Sequence, residues 1–120
     1  MLYTSYFAKL NKLPDNIVPI SICGKAPDWY SGLQYKRLAP RFDMFMEWKR
    51  THDNEYYIKE YSRLVTSGLD TSKVAKDLYD LSGGKDVALL CYEKPSDFCH
   101  RHLVAEWFSN NGIPCTEYEF

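Results

Sequence analysis

The stretch DVALLCYEKPSDFCHRHLVAEWFS, Asp86–Ser109, decides the fold. Asp86–Tyr92 is a nearly unbroken apolar run, the pattern of a strand covered on both faces. Lys94–Pro95 turns the chain. Ser96 or Asp97 is placed to cap a helix that runs to about Asn110 and stops at Gly112, with Leu103 and Trp107 on its apolar side. A buried strand followed by a helix is the repeating step of a parallel α/β sheet.

Working outward from this segment, Leu2–Ala8 reads as a first strand and Ile17–Cys23 as a second. Pro19 removes one backbone donor from the second strand, which places it at an edge or starts it after the proline. Trp29–Pro40 reads as a long aromatic and basic loop, of the kind that often carries function. Arg41–Lys49 is a short helix. Asp53 caps the next, whose Tyr57, Tyr61, Leu64 and Val65 form a core stripe and which Gly68 closes. Thr71 or Ser72 opens a third helix, stopped by Gly83–Gly84, and Ile113–Tyr118 adds a short last strand. The order predicts a small three-layer α/β domain with a largely parallel sheet flanked by helices. Residues 1–120 make a single domain, because a chain of 120 residues has no room for a second core.

Composition narrows the function classes. Hydrophobic residues at 45% and aromatics at 16% suffice for a packed interior, which argues against disorder. Fifteen Lys and Arg against sixteen Asp and Glu leave a net charge of −1, so no global basic field exists to hold nucleic acid. No stretch approaches the roughly 18 apolar residues of a membrane span. MLYTSYFAKL lacks the features of a secretory signal, and a cytoplasmic protein with reduced thiols at Cys23, Cys91, Cys99 and Cys115 is the expectation. There is no CxxC pairing, so no metal is assigned.

The strand–helix junction gathers Cys91, Glu93, Cys99, His100 and Arg101 at the carboxyl end of the strand, where α/β sheets build their sites. A thiol at a helix start beside an arginine has its pKa lowered, which favours Cys99 over Cys91 as a reactive thiolate. His100 or Glu93 would then handle protons. Neighbouring helical residues diverge by about 100°, so Cys99 and His100 need not touch. A disulfide between Cys91 and Cys99 requires Cα atoms within about 7 Å. The bland alternative makes Cys99 a small core residue, with His100 and Arg101 contacting loops.

Leu89–Phe108, LLCYEKPSDFCHRHLVAEWF, resembles the hallmark of the domain-of-unknown-function family 488 (DUF 488): a strand ending Leu-Leu-Cys-x-Glu, a short loop, then Cys-His-Arg and an apolar helix. Leu38–Trp48 and Asn54–Leu64 are similar to the family's YeaO-like branch, and Tyr3-Thr4-Ser5-Tyr6 to its opening strand. The YeaO-like branch often lacks the Cys-His-Arg triplet, so the chain combines features of both branches. Where many relatives end the second strand in Asp-x-Arg, this chain has Ser21-Ile22-Cys23-Gly24-Lys25, and the role of that Asp and Arg does not carry over. The resemblance implies an α/β fold and a real site at the junction, without a reaction or a cofactor.

Three readings follow. In the first, Arg101, Lys25 or Arg37 meets a small anionic, nucleotide-related ligand at the helix start, with Tyr3, Ser5, Tyr6, Trp29 and Tyr30 around it. In the second, the chain is a thiol-dependent enzyme using Cys99 or Cys91 with His100 and Glu93. In the third, Tyr35, Lys36, Arg37 and Arg41 make a contact patch of a non-catalytic interaction or nucleic-acid accessory module. A soft metal on Cys91, Cys99 and His100, with Cys23, is a minor fourth.

Overall fold

The computed structural model describes all 120 residues. Its centre is β4 (Asp86–Cys91), every residue of which is buried from Val87 onward. β1 (Leu2–Tyr6) and β2 (Ile17–Ser21) pair with it in parallel, one on each side, with Tyr6 opposite Cys91 and Ser21 opposite Leu90. The two-residue β3 (Leu33–Gln34) joins β2, and β5 (Cys115–Glu117) joins β1. The parallel sheet therefore runs β3-β2-β4-β1-β5.

Alternation along β4 sends Val87 and Leu89 to one face and Ala88 and Leu90 to the other. Four helices cover the first face: α1 (Phe42–Thr51), α2 (Asn54–Leu64), α3 (Thr71–Leu81) and α4 (His100–Asn110). Met44, Tyr61, Leu78 and Phe108, one from each, pack with Val87 and Leu89. The second face carries a thin layer built from a 3-10 helical segment, Phe7–Lys12, and the loop around Ala26–Tyr30.

Strand order explains this unequal division. Right-handed crossovers that run in opposite directions along a sheet lie on opposite faces. The links from β1 to β2 and from β2 to β3 run one way. The links from β3 to β4 through α1–α3, and from β4 to β5 through α4, run the other. The chain leaving β4 thus departs to the helical face while both neighbouring strands send theirs to the thin face. A crevice at the carboxyl end of β4 is the consequence.

The three-layer parallel α/β expectation holds, with local corrections. β1 ends at Tyr6, and the chain coils at Phe7. The Trp29–Pro40 loop contains β3 and a 3-10 turn at Lys36–Leu38. β2 is interior by position, yet Pro19 faces no residue of β3, which pairs only with Ile20 and Ser21. Its missing donor is harmless there. Asp53 caps α2 by accepting from the Tyr56 N–H. α3 opens at Thr71, as expected, and its cap is Asp70, which accepts from Ser72 and Lys73. α2 ends at Leu64, and Gly68 closes a separate 3-10 turn.

The interior holds protonated acids. Burial raises the phenols of Tyr57 and Tyr61 above the ordinary tyrosine range, and raises the Cys115 thiol to about 12, with Glu117 adding to the effect. An unfolded chain releases these protons from about pH 8.5 for cysteine and 10 for tyrosine. Above that range the native state binds more protons than the unfolded state, so stability falls as pH rises. The urea midpoint is expected to drop between pH 9 and 11, and to drop less steeply in Tyr57→Phe; a pH-independent midpoint would contradict the burial of these groups.

Candidate functional site

Cys91 ends β4, buried at the carboxyl end of the sheet and packed in one cluster with Ala88, Leu90 and Cys99. The chain loops through Tyr92–Phe98 and returns to Cys99, and the two cysteines form a disulfide with their Cα atoms 7.2 Å apart. Cys99 has extended backbone, φ −155° and ψ 145°, and occupies the N-cap position of α4 without a side-chain cap bond. The helix therefore begins at His100, later than the polar residues Ser96 and Asp97 indicate. A residue bonded to the end of β4 and held extended cannot lie inside a helical turn. The disulfide also corrects the expectation of four reduced thiols. Cys23 and Cys115 alone are free, and both are buried.

His100 is buried against this pair, with Tyr61 beside its ring. Its Nε2 lies 2.7 Å from the Ile22 carbonyl oxygen. A carbonyl only accepts, so Nε2 carries the proton and donates it, leaving Nδ1 with a bare lone pair. That lone pair faces both sulfurs, 3.6 Å from Cys91 Sγ and 3.8 Å from Cys99 Sγ. Burial, reinforced by the Arg101 charge, pushes the imidazole pKa down to about 4, so the ring is neutral at neutral pH. Cys99 and His100 meet at the same point because Cys99 is a cap residue and not a helical one.

Arg101 has no solvent exposure. Its Nε and Nη2 donate to the two carboxylate oxygens of Glu117 at 3.0 Å each, and Nη1 donates to the Glu93 carbonyl at 2.6 Å. Thr4 Oγ1 donates to the same Glu117 carboxylate, and the Tyr6 ring lies 5.5 Å from the guanidinium carbon. The anion that Arg101 meets is internal, and the guanidinium is not offered to a ligand.

The residues singled out by sequence thus divide. Cys91, Cys99 and His100 form one cluster, with Glu93, Arg101 and Tyr6 beside it. Ser5 is buried on the opposite face of β1 from Thr4 and Tyr6, its hydroxyl without a partner. Tyr3 shares that face and packs edge-on against Tyr118. Lys25 is exposed and contributes only its carbonyl, which accepts from the Tyr92 hydroxyl. Cys23 also stands apart, its thiol directed at the Leu90 carbonyl and raised to about 12 by burial.

Sequence reasoning missed the Ile22 carbonyl, Glu117, and an aromatic cleft of about 20 Å³ between Phe45, Trp48, Tyr57, Phe98 and the Cys99–His100 pair. A volume of that size holds one water. The aromatic content of α1 and α2 was the available signal for the cleft; nothing local marks Glu117. Cys91 Sγ, Cys99 Sγ and His100 Nδ1 all lie within 4.8 Å of one another. With the disulfide reduced, they would be the donor set of a soft metal.

A neutral imidazole set against a cysteine pair, where the connections of a parallel sheet diverge, defines the class: an α/β domain with a sulfur–imidazole site at its topological switch point. The chain belongs to the DUF488 family; residues 7–112 match DUF488-N3a, described as the active DUF488-N3 subclade. No curated protein and no solved structure matches it.

The Arg101–Glu117 pair generates an asymmetric prediction. Glu117→Ala leaves a guanidinium buried without its counter-charge and is expected to cost about 3 kcal/mol in urea unfolding. Arg101→Met leaves a carboxylate that still reaches water, since the Glu117 side chain is 25% exposed. It is expected to cost less, and the reverse order would refute the assignment of the pair.

Proposed function

We propose that the chain is a thiol–disulfide redox protein whose Cys91 and Cys99 cycle between dithiol and disulfide. The observation that carries this reading is the His100 lone pair aimed at both sulfurs, with its tautomer fixed by Ile22. In the reduced state a cysteine thiol donates to Nδ1, and the thiolate that forms supplies the negative charge that lets the ring, whose pKa is held at about 4 beside the neutral disulfide, keep the proton. Cys99, bordering the cleft, is the sulfur that meets the substrate.

In the oxidative direction the Cys99 thiolate attacks a substrate disulfide. A mixed disulfide forms and one substrate thiolate leaves, taking the proton that Nδ1 accepted from Cys99 and so freeing Nδ1 again. Cys91 then loses its proton to Nδ1 and attacks Cys99 Sγ, expelling the second substrate thiolate, which takes up a proton. One substrate disulfide becomes two thiols, and two protein thiols become one disulfide: two electrons and two protons pass. Run backwards, the same steps reduce the protein at the expense of a dithiol. The cleft is too small for a substrate sulfur, so access requires displacement of Tyr92–Asp97, whose side chains other than Glu93 are exposed.

Equilibration of the native chain in glutathione buffers of graded ratio, followed by acid quench and thiol counting, checks this. A reversible step from two to four thiols is expected, absent in Cys99→Ser. His100→Gln is expected to slow alkylation of reduced Cys99 at least tenfold at pH 7. A pair that stays oxidised at every ratio while the fold is intact overturns the proposal. So does a reduced protein that retains stoichiometric metal by elemental analysis.

A further inference from the structure

A second cavity lies away from the cysteines, at the other end of α2. It is a groove of about 490 Å³ between the segment Lys36–Arg41 and the end of α2. Leu64, Val65 and Leu69 form its apolar floor, and its charged side chains are Lys36, Arg37 and Arg41. No carboxylate lines it. This arrangement occurs on a protein whose net charge is −1, so it is a local concentration of positive charge and not part of a general basic surface.

The three cations are weakly engaged. Lys36 and Arg41 are exposed and make no ion pair. Arg37 reaches Asp77 at 3.9 Å with a side chain 60% exposed, and that carboxylate already accepts from the Tyr35 hydroxyl at 2.6 Å. Arg41 is also the N-cap residue of α1 and supplies no side-chain cap. The Phe42 and Asp43 N–H groups of the first turn have no acceptor in the chain, while the Asp43 carboxylate is turned to the Met44 N–H. The positive end of the α1 dipole therefore opens beside Arg41.

We propose that this groove binds a phosphate-bearing small molecule, up to a mononucleotide in size. Its volume lies in the range of small-molecule sites. Two arginines and a lysine spaced along one short segment match the several oxygens of a phosphoryl group, which arginine engages in bidentate fashion. The apolar floor accommodates the uncharged part of the molecule. The site is independent of the cysteine pair and of any redox chemistry there.

Calorimetric titration of the full chain with inorganic pyrophosphate, with ADP and with a ten-residue single-stranded oligonucleotide tests the proposal. Pyrophosphate or ADP is expected to bind, with a Kd raised at least tenfold in Arg41→Gln and in Lys36→Gln. Arg63→Gln, which removes a cation paired to Glu60 outside the groove, is expected to leave Kd unchanged. Both groove variants alter exposed side chains, and circular dichroism identifies any that fails to fold, the other then carrying the test. Tighter binding of ADP than of pyrophosphate identifies a nucleotide; equal affinities identify the phosphoryl group alone. The proposal is overturned by no binding at millimolar pyrophosphate and ADP, by a Kd indifferent to both groove substitutions, or by an oligonucleotide that binds more than tenfold tighter than either.

Discussion

A guanidinium without access to water must be neutralised where it stands, because desolvating a charge costs several kcal/mol and only close partners offset it. Arg101 meets that requirement through Glu117 from β5, the Glu93 carbonyl from the loop and the Tyr6 ring from β1. The start of α4, the cysteine loop and two strands are thereby held to one another. His100, the preceding residue, is placed by the same arrangement and then fixed in orientation by its bond to Ile22. The position of the sulfurs depends on the ion pair, although neither sulfur touches it.

Legibility in the sequence followed the range of the interaction that decides each feature. β4 was readable because a strand buried on both faces is apolar at successive positions, and the Asp53 cap because a cap and its N–H partner are three residues apart. β3 was not: Leu33 and Gln34 are exposed, and only their pairing with Ile20 and Ser21 makes them a strand. The start of α4 was misplaced because Ser96 and Asp97 carry a local capping signal that the Cys91–Cys99 bond overrides from outside the helix.

The candidate site divides in the same way. Cysteine and histidine announce themselves by residue type, so the cluster was visible before its geometry. The role of Arg101 was not, because its partner lies 16 residues away on a strand of three residues. Tyr3, Ser5 and Tyr6 are neighbours in sequence, yet alternation splits them. Which face of β1 receives α4 is set by the strand order, and that order is not written in any local pattern. The same order places the cleft and the basic groove along one helix. Tyr57 of α2 lines the former and Leu64 the latter, about 10 Å further along its axis.

The residues that carry the family's pattern, 7–112, do not coincide with the residues that stabilise it. β1 ends at Tyr6 and β5 begins at Cys115, so a fragment trimmed to the matched region would lose both outer supports of α4. Thr4, Tyr6 and Glu117 would go together, and Arg101 would remain in the interior with the Glu93 carbonyl alone. Such a fragment would lose an interior strand of the sheet and the counter-charge of Arg101 together.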